Sequence, residues 1–349
     1  MKKLLYSILG LSLLFSCSND DDGTTTQEPL GDYENGIIVS AEGGPASVSY
    51  ISNDFSTSEN QIYFNVNEEN LGVYLQSIGF NNDKAYIIQD SGTITVVNRY
   101  TFEVITTITT GLTTPRYIAF NGATAYVSDW ADPFTSTDDY VAVLDLNSYT
   151  VTSTVAVSEG PEQVLVNNNK VYVSHKGGYG VNNEISVIDT ANNSLETIQV
   201  NDVPDEMAID TQGHLVVLSS GANQSWLNPP VETLASISRI DLSTNTVITN
   251  IEFAEGEHPS LMAYANGSTY YILNNNVYSL ADNATGLPTE SQFSISAGYA
   301  YGLSVNASNL FVTDASFTEQ STLLIYDLSN GTLSESFSVG TGASKIYFN

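Results

Sequence analysis

Apolar residues along this chain come in short runs separated by turns rich in Asn, Gly and Asp, and most runs alternate with a period of two, the signature of half-buried β-strands. A unit recurs in which a turn ending in Pro leads to an apolar strand, a tight turn, a Tyr-Val type strand, a loop, a strand ending in Ile-Asp or Leu-Asp, and a final Thr/Val strand. Pro115 to Phe120 is followed by Ala125-Tyr126-Val127-Ser128, Val141 to Asp145 and Val151 to Val155. Pro161 to Val166 is followed by Val171-Tyr172-Val173-Ser174, Ile185 to Asp189 and Leu195 to Ile198. Helical periodicity is weak throughout. The one hint of it, Pro230 to Ala235, reads as part of a long loop running from Ala222 to Leu234.

Unit starts fall near residues 75, 115, 161, 204, 259, 300 and 343, a spacing that matches four-stranded propeller blades. The expectation is an all-β, seven-bladed β-propeller over residues 36–349. The seventh first strand, Ala343 to Phe348, has nothing after it, so its partners are expected at Gly36 to Ser40, Val48 to Ile51 and Gln61 to Val66. Both chain ends then share one blade, and no sheet edge is left open at the seam. Asp145, Asp189, Asp241 and Asp327 each sit at a strand end, one or two residues before Asn, Ser or Thr, where a carboxylate bonds the following backbone in an Asx turn. They are therefore left out of the candidate site.

The N-terminus adds an address. Met1-Lys2-Lys3 and the apolar run Leu4 to Phe15 form a basic and a hydrophobic segment too short to span a bilayer as a helix. Leu14-Phe15-Ser16-Cys17 has the form of a lipobox, giving a lipoprotein signal peptide at 1–16, a lipidated Cys17, and an acidic, Thr-rich tether over 17–35. An ordinary signal peptide with an incidental cysteine is the alternative. Cys17 is the only cysteine, so an internal disulfide is excluded. Without Lys2 and Lys3, seven Lys and Arg stand against 39 Asp and Glu, which argues against nucleic acid and anionic headgroups as partners. Membrane contact is then expected through the lipid alone. The 42% hydrophobic content and 21 Tyr belong to a core-forming chain.

From Gly36 onward the chain resembles the YncE-like surface propellers of Bacteroidetes. Leu71 to Ser77, Pro115 to Ile118, Ala125 to Trp130, Leu215 to Gly221, Tyr270 to Asn274, Tyr301 to Val305 and Leu310 to Ala315 carry the resemblance, with Ala41-Glu42-Gly43 standing where the family has Asn-Glu-Gly. The acidic run Ser18 to Gly23 is similar to the export signal of that phylum's outer-membrane lipoproteins. Within the family, the BtuG-type lipoproteins sit on a TonB-dependent transporter and capture cobalamin. The resemblance implies a lipid-anchored, cell-surface protein of the outer membrane that binds a corrinoid and passes it to such a transporter.

In a four-stranded blade, loops entering the first strand and leaving the second lie together around one channel mouth, where residues distant in sequence converge. The expected ligand set there is Tyr74, Gln76, Arg116, Tyr117, Asp129, Trp130, Glu162, His175, Lys176, Asn274, Tyr299, Tyr301 and Asp314. The same face also collects Glu42, Gln89, Asp90, Asp205, Glu206, His258 and Lys345. Arg116 reads equally as a ligand contact or as an ion pair to the next blade. Trp130, ahead of the insertion Ala131 to Asp139, reads as an exposed contact residue. Tyr299 and Tyr301 suit ligand contact or inter-blade packing, and Trp226 marks a lid or partner contact. No Ser, His and Asp set has motif context, and His175, His214 and His258 lack metal-ligand spacing, so no catalytic residue or metal ligand is assigned. Channel carboxylates holding Ca²⁺, as in lactonase propellers, and a surface adhesin binding glycans remain the rival readings. The Asp-x-His-x-x-Gly pattern that ligates cobalt is absent, because Val173 stands two before His175.

Overall fold

The computed structural model describes residues 29–349; the expected signal segment, Cys17 and most of the tether lie outside the described residues. Seven four-stranded antiparallel sheets form the ring. We number the blades by their first strands: Leu75–Asn81, Pro115–Asn121, Pro161–Asn167, Pro204–Ile209, Met262–Ala265, Ala300–Val305 and Ala343–Phe348. Blade five departs from expectation, since its first strand begins at Met262 and not at Pro259, and is short.

Blade seven closes the ring as the sequence pattern requires. Its order is Ser58–Glu59, Ser47–Ser52, Gly36–Ala41, Ala343–Phe348, with Ile37 opposite Phe348 and Ser40 opposite Lys345. Gln61 to Val66, expected as its outermost strand, is instead the helix Ile62–Asn67. That edge is held by few backbone bonds, so burial decides its conformation. Ile62 and Tyr63 are buried in a cluster with Val48, Leu71 and Leu75. The expected loop 222–234 also carries structure, a two-residue hairpin of Asn223–Gln224 with Val231–Glu232.

Aromatic side chains on the second strands fill the space between sheets. Tyr86, Tyr172, Tyr271 and Phe311 are fully buried, and each brings a large apolar area into an inter-blade cluster. Tyr86 joins blade one to Ile118, Val127 and Leu144 of blade two. The Asx turns form as expected: Asp145, Asp189, Asp241 and Asp327 accept from the backbone N–H of Asn147, Ala191, Ser243 and Ser329 at 2.8–2.9 Å. These turns define a lower face. The chain joins the propeller there, where Tyr33 donates its N–H to the Tyr100 carbonyl at 2.9 Å and Asn349 bonds the Tyr33 carbonyl.

Candidate functional site: a closed cup on the upper face

Six first strands are irregular just after their first residue. In blade two, Pro115 faces Asp129 and Ile118 faces Val127, so Arg116 and Tyr117 together oppose Ser128. Blades three and four repeat this with Glu162-Gln163 and Asp205-Glu206. Single-residue bulges stand at Gln76, Tyr301 and Ser344. A bulge interrupts strict alternation and re-aims side chains. Here it delivers the second residue of the strand to the channel mouth and, in blades two to four, the third residue deeper. The serine ending the neighbouring second strand stabilises the irregularity: Ser128 Oγ accepts from Tyr117 N–H and donates to the Glu162 carbonyl, and Ser174 does the same for Gln163 and Asp205. Each such serine also ties one blade to the next.

The resulting cup has a volume of about 210 Å³, below the usual size of small-molecule sites, so a larger ligand would also rest on the rim above it. Gln76, Arg116, Glu162, Asp205, Tyr301 and Ser344 surround it. Tyr117, Glu206 and Lys345 form its floor, since they line both this cup and the cavity beneath it. Lys345 Nζ of blade seven reaches Glu206 Oε1 of blade four at 3.2 Å, an ion pair spanning the ring. Arg116 holds Glu162 with two bonds, 2.8 and 3.1 Å, and Lys176 holds Asp205 at 2.8 Å.

Burial and pairing set the charges. Burial opposes the charge on Arg116 and Lys345, but their neighbours together outweigh it, Glu162 foremost for Arg116 and Glu206 for Lys345, and both pKa values are raised. The adjacent carboxyls of blade four part company. Burial pushes Glu206 up, with Lys345 only partly opposing, whereas at Asp205 burial is overcome by Lys176 and Lys345 and its pKa falls. Burial also raises Glu42, whose carboxylate receives the Tyr301 hydroxyl. Oδ1 of Asp205 is buried with no hydrogen-bond partner. The cup is thus a set of fixed dipoles and ion pairs that bind through donors and acceptors.

Of the expected ligand residues, Gln76, Arg116, Tyr117, Glu162, Lys176, Tyr299 and Tyr301 meet in the cup. Both readings of Arg116 hold together, since it pairs with Glu162 while lining the cavity. Four placements are corrected. Asp129 is wholly buried and receives the N–H groups of Thr113, Thr114 and Ala131, so it fixes the loop and does not face the channel. His175 is likewise wholly buried between Ser186 and the Glu159 carbonyl, and burial lowers its pKa to about 4. Trp130 is core, only 9% exposed, with Nε1–H donating to the Pro161 carbonyl and its ring 4.1 Å beneath the Arg116 guanidinium. Asp314 accepts from the Tyr299 N–H and positions that aromatic from outside the cup. Tyr74 is exposed on the rim. Asn274 lines a separate groove over blade five.

Glu42, Asp205, Glu206 and Lys345 were legible as face residues but not as the centre of the site. Ser344, Gln163 and Phe317 were missed. The first two share the bulge positions of the other blades, a signal the repeat contains; Phe317 sits on a loop with no marker. Its ring lies edge-on to Tyr299 and Tyr301, which stack on each other at 5.6 Å. Across the mouth, Phe134 stacks on Tyr179 at 5.6 Å beside Trp130. Tyr74, Phe134, Tyr179, Trp226, Tyr299 and Phe317 are all exposed and all lie on the upper face, whereas Phe64 and Phe348 are the only strongly exposed aromatics elsewhere among the described residues. Among the described residues, no three His, Cys, Asp or Glu side chains converge to hold a metal ion.

Fold and site together define a closed β-propeller with a polar, floored cup ringed by aromatics on one face. The family model described as a domain of unknown function (DUF5074) matches residues 35–339, and the chain belongs to that family. No curated protein matches it in sequence. Among solved structures, the dihydro-heme d1 dehydrogenase NirN is similar with a TM-score of 0.58 at 12% identity, over 92% of this chain and 77% of that one. The computationally designed protein Ika8 gives 0.55 at 11% identity, over 92% of each. Hydrazine synthase of Kuenenia stuttgartiensis gives 0.57 at 16% identity, over 78% of this chain and 88% of that one. At these identities the likeness is one of fold.

Proposed function

We propose that this propeller is a cell-surface capture protein, lipid-anchored at Cys17, whose upper face binds a corrinoid and presents it to a TonB-dependent transporter of the outer membrane. The observation that carries the reading is the pairing of two exposed aromatic clusters, Phe134 with Tyr179 and Tyr299 with Phe317, on opposite sides of a cup rich in acceptors. A broad, mostly apolar ring rimmed by neutral amides needs that combination. The aromatic faces supply contact area, while the Glu42 carboxylate and the Gln76 amide, both lining the cup, offer acceptors to amide N–H groups. A Ca²⁺-dependent hydrolase is the weaker reading, because Glu162, Asp205 and Glu206 each already face an Arg or Lys, whose charge competes with a cation.

Calorimetric titration of the purified chain with cobalamin and with cobinamide tests the proposal. Binding at micromolar concentration or tighter is expected, and Tyr299→Ala should weaken it about thirtyfold, the cost of losing a contact worth about 2 kcal/mol. No heat with either compound at micromolar concentrations overturns the corrinoid assignment.

A further inference from the structure

The upper face holds a second compartment. A groove of about 820 Å³, open solvent included, runs over blade five and meets the cup along Ser260, Leu261, Tyr299 and Ala300. Blade five makes room for it with the shortest connection between second and third strands. Its second and third strands are joined by the two-residue turn Asn274-Asn275, both at positive φ as a tight hairpin demands. The equivalent connections of blades two, three and four run through 130–139, 176–183 and 220–235. The groove is therefore a lateral opening in the crown, and Tyr299 is the partition between it and the cup.

We propose that this groove is a subsite for a neutral, hydroxyl-bearing ring such as a pyranose or furanose unit. Three features specify that chemistry. The groove has an apolar strip, Leu261 and Ile272, and the exposed Tyr299 ring, against which the C–H face of a sugar packs. The side-chain amide of Asn274 is exposed and has no hydrogen bond within the protein, whereas that of Asn275 is committed to the Ala297 carbonyl at 3.0 Å. Asn274 thus offers a donor and an acceptor together, the pairing that vicinal hydroxyls satisfy.

His258 is the third feature. Its Nδ1 lies 2.7 Å from the Ser220 carbonyl, which can only accept, so Nδ1 carries the proton. Its Nε2 lies 3.4 Å from Glu232 Oε1, which already receives the Gly256 N–H, so this ring edge at the groove is only loosely engaged and is open to a hydroxyl, which can donate or accept. Phosphates and carboxylates are disfavoured, because no Lys or Arg lines the groove.

This subsite rests on the upper face being the binding face, not on the corrinoid assignment. Saturation-transfer NMR of the purified chain with methyl glycosides of glucose, galactose, mannose and ribose reads it directly. Transfer to ring protons of at least one glycoside is expected at millimolar concentration. It should fall at least fivefold in Asn274→Trp, which fills the groove, and persist in Glu42→Gln, which alters only the cup. Tyr299→Ala, with the circular dichroism spectrum unchanged, should also lose it. Absence of transfer from all four glycosides, or transfer undiminished in Asn274→Trp, overturns the subsite. Cobalamin titration of the same variants separates the two readings: cup binding retained in Asn274→Trp with glycoside transfer lost leaves both standing, and glycoside transfer without cobalamin binding removes only the corrinoid.

Discussion

Replacing Lys345 with Met removes the cation that bridges the channel and strands Glu206 on the far side. Deleting one partner of a buried pair costs about 3–5 kcal/mol. The two side chains keep 25% and 15% exposure, and solvent screening reduces the expected loss to about 2–3 kcal/mol. Over a chain of this size that is a fall of about 4 °C in melting temperature. The loss has a defined pH dependence. Burial already raises the Glu206 pKa, and Lys345 opposes it, so without the lysine the folded-state pKa climbs further. A carboxyl with a raised folded-state pKa holds a proton that the unfolded chain releases, and stability therefore falls as pH rises above the unfolded value. The variant should be close to wild type near pH 4 and fully destabilised by pH 8. Adding Glu206→Gln keeps the partner of Gln163 but removes the charge, and should restore at least half of the loss. Thermal melts followed by circular dichroism across that pH range are sufficient. A Lys345→Met melt equal to wild type at pH 8, or a double variant as unstable as the single one, refutes the cross-channel pair.

Three other outcomes are expected. Deleting residues 343–349 should abolish the cooperative melt, because blade seven loses its inner strand and the Asn349 bonds to Tyr33 and Arg99. His175, held neutral with a pKa of about 4, takes up a proton on unfolding between there and its ordinary value; stability should drop by about 3 kcal/mol as pH falls from 7 to 3, and His175→Gln should flatten that part of the urea-denaturation profile. Cys17→Ala should abolish labelling by a radioactive or clickable fatty acid, and protease added to intact cells should degrade the wild-type protein; a protected protein refutes the surface address.

How much of this was legible depended on whether a feature repeats. Blade starts at Pro115, Pro161 and Pro204, the closing pair Gly36 to Ser40 with Ala343 to Phe348, and the Asx turns all recur or follow from ring closure, so pattern alone locates them. Gln61 to Val66 is rich in β-branched and aromatic residues that suit a strand, yet it lies at the outer edge, where pairing is weakest and burial of Ile62 and Tyr63 prevails. The candidate site was harder, because it is set by bulges. Strict alternation places the ends of the second strands, Asp129 and His175, beside the channel. In the folded ring those positions cap loops, and the first strands present consecutive residues instead. The pairing of a first-strand Pro with a Val-Ser at the end of the following strand, seen in blades two and three, marks the bulge once its cause is understood. Exposure of Phe134, Tyr179 and Phe317 left no trace, since a loop residue's environment is fixed by neighbours from other blades.

The two faces of the ring divide the labour that the proposed function requires. Tyr33, just ahead of the first strand, seats on the lower face against Tyr100 and Asn349, while the cup, its aromatic crown and the blade-five groove occupy the upper one. Under the proposed function, tension on an anchor at Cys17 would be borne at the lower face, away from every residue proposed to meet ligand. Tyr117, Glu206 and Lys345 stand between the cup and the cavity beneath it, with Lys345 paired to Glu206 across the channel, so under the proposed function a ligand enters and leaves by the upper opening. Transfer to a transporter then requires the upper face itself to dock on the transporter, with the exposed loops at Phe134, Tyr179 and Trp226 as the first points of contact, and the tether must let the ring turn over between capture and delivery.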